Sequence, residues 1–387
     1  MLDSRDLIGV INAAIGNGTE YKIESPDMKA FVEFARMHQV YGMMLYGLSA
    51  LGISSADTSV LRQGAYAEAV LNEIQLAEFE KITEKLNSEG IAYVALKGIT
   101  LKKLYERPEM RTMSDIDMLI RLNEYPRIRE IMNELEFSEQ YESNHELVWK
   151  KGNVTVEFHK HLIPTYNTDY ATYYSDEWQF AQKTENGWGF APEDEFIFVF
   201  LHFTKHYRDG GIGVKQLIDL WKLKKRGISE EYVVKELEKL ELTEFYNNVM
   251  LTIKYWFENG KSNEAVDIIT ETILRNGAYG TTVSKRESQG VREADGGKIG
   301  SFKVRCGMFF KHVFPSYYSL KRAYRLLNIS PVFLPVVWVI RIFKVIFTPR
   351  KFRDGMKRLD EYSSENAVLA EKRLNAVGLK FGFKEKK

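Results

Sequence analysis

The sequence predicts an α+β fold, in which a small mixed β-sheet is flanked by N-terminal and C-terminal helical regions. Three observations support this prediction. Apolar residues recur at helical spacing before residue 90, short apolar or alternating runs follow up to about residue 165, and helical spacing returns after residue 190. A spacing of apolar residues that changes from a period of 3.6 residues to a period of two, and then back to 3.6, is typical of a fold whose strands are grouped together in the chain between helical regions.

The first predicted region, residues 1–90, is helical. Met28–Leu51 carries apolar residues at helical spacing, and Leu71–Leu86 repeats the pattern. Gly90 follows the last periodic residue, where a glycine commonly ends a helix. We therefore expect helices up to this glycine.

Residues 91–165 form the predicted α/β core. Ile91–Leu96 is short, apolar and partly β-branched, which is typical of a buried strand. The remaining predicted elements are one or two helical turns over Gly98–Tyr105, a strand at Ile116–Ile120, a helix at Glu124–Leu135, and a hairpin of Glu146–Lys150 and Val154–His159 around Lys151-Gly152-Asn153.

Three regions are predicted after the core: a second helical domain over residues 166–276, a linker or mobile loop over 277–300, and a basic helical region over 301–387. A helix is expected to begin at Pro192, because proline needs no amide partner in a first turn. Glu193 and Asp194 follow it and favour the positive end of the helix dipole. The linker prediction rests on a high content of Gly, Ser and charged residues.

Composition is that of a folded protein of two or three domains, with 387 residues, 44% hydrophobic and 28% charged. A single cysteine, Cys306, excludes an intrachain disulfide and a cysteine-based zinc cage. The first ten residues do not resemble a signal peptide, so we expect a cytoplasmic location.

The net charge of +1 hides a basic segment. Residues 301–358 hold thirteen Lys and Arg against one acid, Asp354, which is +12 and leaves about −11 for the rest. Such a segment indicates a polyanionic partner, either nucleic acid or an anionic membrane at whose inner face the protein would be peripheral. The alternative is a solvated helical surface that balances an acidic body.

Pro331–Phe347 is the most hydrophobic stretch of the chain. Its seventeen residues include Arg341 and Lys344, so it is too short and too charged for a convincing transmembrane helix. It is expected either to lie in a membrane interface or, as the favoured alternative, to be a buried helix of the C-terminal region.

Two carboxylates dominate the candidate chemistry. Asp115 and Asp117 lie two residues apart at the start of a predicted strand, so both side chains can point to one place. Close carboxylates repel unless a proton or a cation lies between them, and hard oxygen ligands suit Mg²⁺ or Mn²⁺. The spacing alone is common on solvated surfaces, so it needs support from elsewhere in the chain.

Glu157 supplies that support. In V-T-V-E-F-H, the strand period turns Glu157 and His159 away from the apolar face of Val154, Val156 and Phe158. An acid in a buried sheet is costly unless it is paired or binds metal. If the hairpin packs beside the Asp115 strand, three carboxylates converge, and such a set can hold two metal ions.

Other motifs are less specific. His202 and His206 are one helical turn apart and could both reach an ion, but a packed histidine bonded to a group such as Asp219 is favoured. The glycine-rich run from Asp209 to Gly213 is predicted to be a turn, because no strand precedes it.

The runs L-K-G-I-T-L-K-K-L-Y, R-T-M-S-D-I-D-M-L-I and V-E-F-H together resemble the polymerase-β-type nucleotidyltransferase superfamily. The likeness is strongest to a bacterial nucleotidyltransferase family found among polysaccharide and peptide biosynthesis genes. It spans roughly Val70–Leu223 and includes P-E-D-E-F-I-F-V-F-L-H-F-T-K-H, followed by L-I-D-L.

The resemblance implies transfer of a nucleoside monophosphate from an NTP such as ATP to an acceptor that is a small molecule, a lipid-linked sugar or RNA. It assigns metal binding and catalysis to Asp115, Asp117 and Glu157. The residues expected to contact the nucleotide are Lys97, Gly98, Arg111 and Ser114. The helical domain over residues 166–276 would close over the nucleotide.

Two features leave alternatives open. The superfamily's glycine-serine pair is replaced by Gly98-Ile99, so a phosphate contact is expected from Lys97 or from backbone amides. Arg111 could clamp a triphosphate or form a salt bridge with Glu106 or Glu109. A tRNA-directed toxin with a related motif and a non-catalytic scaffold at the membrane are the alternative functions.

Overall fold

The computed structural model describes residues 3–18, 20–53, 58–164, 168–184, 187–278, 326–346 and 365–379, with single residues and short stretches between 280 and 324. The chain divides into two compact units. One comprises residues 1–207 and 211–279, and the other comprises residues 208–210 and 280–387.

The first unit is built on a seven-stranded mixed sheet. Its strands are β1 (Tyr93–Leu96), β2 (Ile116–Ile120), β3 (Ser138–Glu142), β4 (Glu146–Lys151), β5 (Val154–His159), β6 (Ala181–Thr184) and β7 (Gly187–Phe190). They lie in the order β3-β4-β5-β2-β1-β7-β6. β2 runs parallel to β5 and antiparallel to β1, so the predicted α+β fold with a mixed sheet is confirmed.

Helices precede, interrupt and follow these strands. They are α1 (Ser4–Ala14), α2 (Met28–His38), α3 (Tyr41–Ala50), α4 (Ser59–Ser88), α5 (Gly98–Leu101), α6 (Tyr125–Glu134), α7 (Thr168–Ala171), α8 (Pro192–Arg208), α9 (Val214–Lys224), α10 (Glu230–Lys239), α11 (Thr243–Phe257) and α12 (Glu264–Asn276). Short 3₁₀ turns cover Lys102–Leu104, Pro108–Met110, Leu122–Glu124 and Glu177–Phe180.

One face of the sheet is apolar and buried. β5 contributes Val154, Val156 and Phe158 to a cluster that also holds buried residues of α4 and α6. Alternation along β5 turns Glu157 and His159 to the opposite face, as the sequence predicts. The sheet therefore separates a core that stabilises the fold from a face that carries polar groups.

Several predicted elements need correction. Met28–Leu51 is two helices, because Gln39 adopts a left-handed conformation with φ of 55° between them. β3, β6 and β7 were not predicted. β3 is mostly polar and exposed, and β7 alternates glycine with aromatic residues, so neither shows the apolar pattern of a buried strand. β6 and β7 fall within the region 166–276 that was predicted to be helical, although the predicted domain limits stay a prediction.

The second unit is described only in part. Helices cover Leu326–Ile329, Leu334–Ile346 and Glu365–Ala376, and a small cluster buries Leu320, Leu327 and Val337. Most of the predicted linker over residues 277–300, and much of the basic segment over 301–358, lie outside the described residues. No described helix is both long and apolar enough to span a bilayer.

Helix α3 packs closely on α1 through Gly47. A Cβ at Gly47 would lie 2.1 Å from the carbonyl oxygen of Val10, which is backbone and cannot swing away. We predict that Gly47→Ala lowers the free energy of unfolding by about 1–3 kcal/mol or more, because overpacking must push the helices apart. Urea denaturation measures the change.

Gly42→Ala is the matched control in the same helix. Its Cβ would meet only Glu68 at 3.5 Å and Tyr46 at 3.7 Å, which are ordinary contacts. We expect no loss of stability there, since alanine favours a helix over glycine by about 1 kcal/mol. Equal effects of the two substitutions would contradict the close approach of α1 and α3.

Candidate active site

The candidate site forms where β1 ends and β2 begins, next to β5. In the antiparallel pair, Leu96 lies opposite Asp117, and in the parallel pair Asp117 lies opposite Glu157. Residues directly opposite in neighbouring strands share a face of the sheet. The register therefore brings Glu157 to Asp117 across a separation of forty residues in sequence.

Asp117 lies at the centre of this cluster and is only 4% exposed. Its Oδ1 accepts hydrogen bonds from the Lys97 ammonium at 3.2 Å and from His159 Nε2 at 2.6 Å. Burial disfavours the carboxylate charge, but Lys97 and His159 outweigh burial and hold the pKa of Asp117 below its usual range. Asp117 is thus ionised at neutral pH.

Asp115 and Glu157 are under the opposite influence. Burial, and then repulsion from Asp117, raise the pKa of Asp115 to about 7. Burial, and then the charges of Asp115 and Asp117, raise the pKa of Glu157 to about 8. The ionisation of these two carboxyls is opposed by burial and then by the charges of the neighbouring acids, and a bound divalent cation would stabilise their ionised forms.

The donor set fits a hard cation. One ligand atom each from Asp117, Glu157 and His159 lies within 4.8 Å of the others, and Asp115 lies close enough to repel both acids. Carboxylate oxygens are the ligands that Mg²⁺ and Mn²⁺ prefer. The three acids predicted from the sequence are therefore brought together on one side of the sheet.

Lys97 reaches the cluster from an unusual backbone conformation. Its φ of 47° and ψ of −111° suit glycine, and such outliers cost about 1–3 kcal/mol and concentrate at functional sites. Burial opposes the ammonium charge, but Asp117, Asp115 and Glu157 raise the pKa of Lys97. The next residue, Gly98, begins α5, and a Cβ there would lie 2.8 Å from Cβ of Met113.

Arg111 does not form the salt bridges considered from sequence. Instead of Glu106 or Glu109, its Nε and Nη2 donate to Asp219 of α9 at 3.0 and 2.8 Å, and its Nη1 donates to the Thr112 carbonyl. The ion pair between Arg111 and Asp219 is largely buried and anchors the loop that leads into β2. Ser114 is exposed in the same loop, beside Asp115.

The histidines on α8 also differ from expectation. His202 and His206 do not bond to Asp219; their Nε2 atoms lie 3.1 Å apart. Asp219 is occupied by Arg111 and by the Tyr105 hydroxyl.

Two residues at the site were missed. Lys215 of α9 donates to Thr112 Oγ1 at 2.6 Å, and burial, with the charge of Arg111, lowers the pKa of Lys215 to about 7. His145 lies 3.3 Å from His159, nitrogen to nitrogen. No periodicity marks Lys215 or His145, because each is defined by contacts between elements distant in sequence.

A family model described as "Uncharacterised nucleotidyltransferase" matches residues 24–258. This match covers more than half of the chain and includes every residue of the site described above, so the chain belongs to that nucleotidyltransferase family. Neither a search of the curated proteins nor a search of the solved structures gave a significant match. Family membership supports nucleotidyl transfer as the general activity.

The raised carboxyl pKa values predict that cation binding depends on pH. Asp115 and Glu157 must lose protons to bind Mg²⁺, so we expect the Mg²⁺ affinity of the nucleotide-free protein to rise between about pH 6 and pH 9. Without metal, stability should fall from about pH 4 to about pH 8 and level off above that, because over this range the folded chain keeps these carboxyls protonated and the unfolded chain does not. Calorimetric titration and thermal unfolding at several pH values measure both effects.

The double variant Asp115→Asn, Glu157→Gln is the control for this measurement. It keeps the shape of both side chains and removes both titrations. Its stability should lose most of the pH dependence described above. A wild-type Mg²⁺ affinity that does not change with pH would contradict the mutual repulsion of these acids.

Proposed function

We propose that this member of the nucleotidyltransferase family moves a nucleoside monophosphate from an NTP to an acceptor hydroxyl or phosphate and releases pyrophosphate, with Mg²⁺ or Mn²⁺ as cofactor. The observation that carries the proposal is the in-register pairing of Asp117 with Glu157, with Asp115 beside them. In such a site catalysis depends on position and charge neutralisation.

Each acid has a distinct role in the proposed reaction. Asp115 and Asp117 would hold the divalent cation that accompanies the nucleotide. Burial and the charges of its neighbours raise the pKa of Glu157 to about 8, which makes its carboxylate a stronger base for the proton of the attacking hydroxyl. Bound cations would supply charge stabilisation at the attacking oxygen and at the leaving pyrophosphate.

Lys97 is proposed to contact the nucleotide phosphates. Its ammonium donates to Asp117 Oδ1 at 3.2 Å, so a cation that binds Asp117 would compete with Lys97 and release it to a phosphate oxygen. This assignment supplies the contact that the superfamily takes from a serine, because Ile99 stands at that place here. Gly98 and Ser114 would border the same phosphates, while Arg111 would act through the loop that it anchors.

The acceptor is proposed to be a small molecule, a lipid-linked sugar or RNA. The resemblance to a family found among polysaccharide and peptide biosynthesis genes favours the first two. Helices α8–α12 follow the sheet in the chain and are the proposed closing domain that would select the acceptor.

A tRNA-directed transferase is the alternative enzyme, and a scaffold without turnover is the alternative of another class. The free-energy cost of the acidic cluster argues against the scaffold. Three mutually repelling carboxylates and a strained lysine destabilise the fold, and only a bound cation and nucleotide would offset that cost.

The activity is tested by removing single carboxylates. We expect Asp117→Ala to abolish Mg²⁺-dependent NTP turnover and Glu157→Gln to lower it by about 100-fold or more, as loss of a general base does. Turnover is measured with labelled NTPs, Mg²⁺ or Mn²⁺, and extracts that contain RNA, lipids and sugar phosphates.

Glu139→Gln is the matched control, since Glu139 lies on the outer strand β3 and pairs with Arg129 at the surface. Circular dichroism checks that the variants are folded. Unchanged turnover in folded Asp117→Ala would refute the catalytic assignment. Activity only with tRNA as the acceptor would favour the alternative enzyme.

A peripheral membrane contact is the second candidate role, for the second unit. Val336, Val339 and Phe343 are each about half exposed, and their spacing of three and four residues places them on one stripe of the helix Leu334–Ile346. Val332, in the 3₁₀ turn Pro331–Phe333 before this helix, is 80% exposed. Lys344 is exposed beside the stripe. An apolar stripe with nearby cations suits an interface of anionic lipid, and the segment over residues 301–358 is strongly basic.

Flotation with vesicles tests this contact. We expect the full chain to float with vesicles that contain phosphatidylserine, to stay behind with phosphatidylcholine alone, and to be released by salt. Val336→Asp with Phe343→Asp should abolish flotation, whereas Val60→Asp, at an exposed valine of α4, should not. The membrane role would be contradicted if the variant Val336→Asp with Phe343→Asp still floated with the vesicles. It would also be contradicted if the chain bound tRNA in a salt-sensitive way and did not float.

A further inference from the structure

A second group of potential ligands lies on the β4–β5 hairpin, beside the acidic cluster. In the antiparallel ladder Glu146 lies opposite His159, and His145 immediately precedes β4. His145 Nε2 lies 3.3 Å from His159 Nδ1 and 3.7 Å from Glu146 Oε2. One ligand atom from each of the three residues thus lies within 4.8 Å of the others.

The backbone of this group is held by several hydrogen bonds. Ser143 Oγ accepts from the amides of His145 and Glu146 at 3.1 and 3.0 Å, and the His145 carbonyl accepts from the Lys160 amide at 2.7 Å. The Tyr141 hydroxyl donates to Glu146 Oε1, which turns Oε2 towards His145. Because the backbone of these ligands is already fixed, they lose little conformational entropy when an ion binds.

His159 is oriented as metal-binding histidines usually are. Its Nε2 lies 2.6 Å from the ionised Asp117 carboxylate and therefore carries the proton that it donates. Its other ring nitrogen, Nδ1, faces His145 Nε2 at 3.3 Å and is the nitrogen that a metal could reach. A histidine that donates one ring N–H to a carboxylate and offers its other nitrogen is the usual carboxylate–histidine–metal arrangement.

A hydrogen bond between the imidazole rings of His145 and His159 does not account well for their close approach. At 3.3 Å it is long, and no described residue bonds to the buried Nδ1 of His145. A bound ion would replace one long bond by coordination of both rings and of Glu146.

We propose that His145, Glu146 and the Nδ1 side of His159 bind a divalent transition metal such as Zn²⁺, at a site that adjoins the carboxylates proposed to hold the nucleotide's cation. Two imidazole nitrogens and one carboxylate oxygen select Zn²⁺ over Mg²⁺, and three protein ligands leave a position open for water or a phosphate oxygen. The ion would fix the ring of His159 and, through it, Asp117. This site does not depend on turnover.

Metal binding by the full-length, metal-free protein tests the proposal. Zn²⁺ is titrated calorimetrically in excess Mg²⁺, which occupies the oxygen ligands, and Co²⁺ is titrated by its visible absorption. We expect one equivalent of each to bind, with the spectrum of nitrogen ligation. His145→Ala and Glu146→Gln should each weaken binding by about 10- to 100-fold or more.

His206→Ala is the matched control, because it breaks the other close histidine pair of the described chain, whose Nε2 atoms lie 3.1 Å apart. It should leave Zn²⁺ affinity unchanged, and circular dichroism checks the fold of each variant. The proposal is overturned if Zn²⁺ does not bind, if His206→Ala removes binding, or if Glu157→Gln removes it while Glu146→Gln does not. Loss of NTP turnover in any variant does not bear on this result.

Discussion

The parallel pairing of β2 with β5 is the constraint on which the rest of the site depends. It places Asp117 opposite Glu157 and Leu119 opposite His159, so the polar face of the sheet receives two acids and an imidazole side by side. A shift by one residue would turn these side chains into the apolar cluster of Val156 and Phe158. The apolar core thus specifies the register that assembles the charged groups.

Charge balance follows from that register. Asp117 is held ionised by Lys97 and His159. Burial, and then the charges within the cluster, including that of Asp117, raise the pKa of the two acids around it. One carboxylate is neutralised by the protein, and the other two resist ionisation until something else supplies positive charge. The backbone of Lys97 is strained as well, and such strain is typical of sites shaped for ligand binding rather than for stability.

The surrounding contacts join elements that are far apart in the chain. Arg111 reaches Asp219 across 108 residues, and Lys215 of the same helix binds the carbonyl and hydroxyl of Thr112. The loop that carries Asp115 is thereby fastened to α9. Buried, multiply bonded ion pairs of this kind position groups more reliably than they add stability.

The amino-acid sequence by itself determined the elements and the polar face of the candidate site. Local periodicity and turn chemistry predict the bounds of β2, the β4–β5 hairpin, the start of α8 at Pro192 and the alternation that turns Glu157 to the polar face. Strands without an apolar pattern, such as β7, were missed for the same reason. The family was indicated separately, by the resemblance of sequence motifs, and the family model confirms it.

Only the tertiary structure decided which groups meet. Asp219 as the partner of Arg111, Lys97 as the counter-ion of Asp117, and His145 beside His159 depend on strand order, register and helix packing. Periodicity reports which side of its own element a residue faces, because that is a property of neighbouring dihedral angles. It carries no information about the element that packs opposite, and a site made of long-range contacts is defined by that packing.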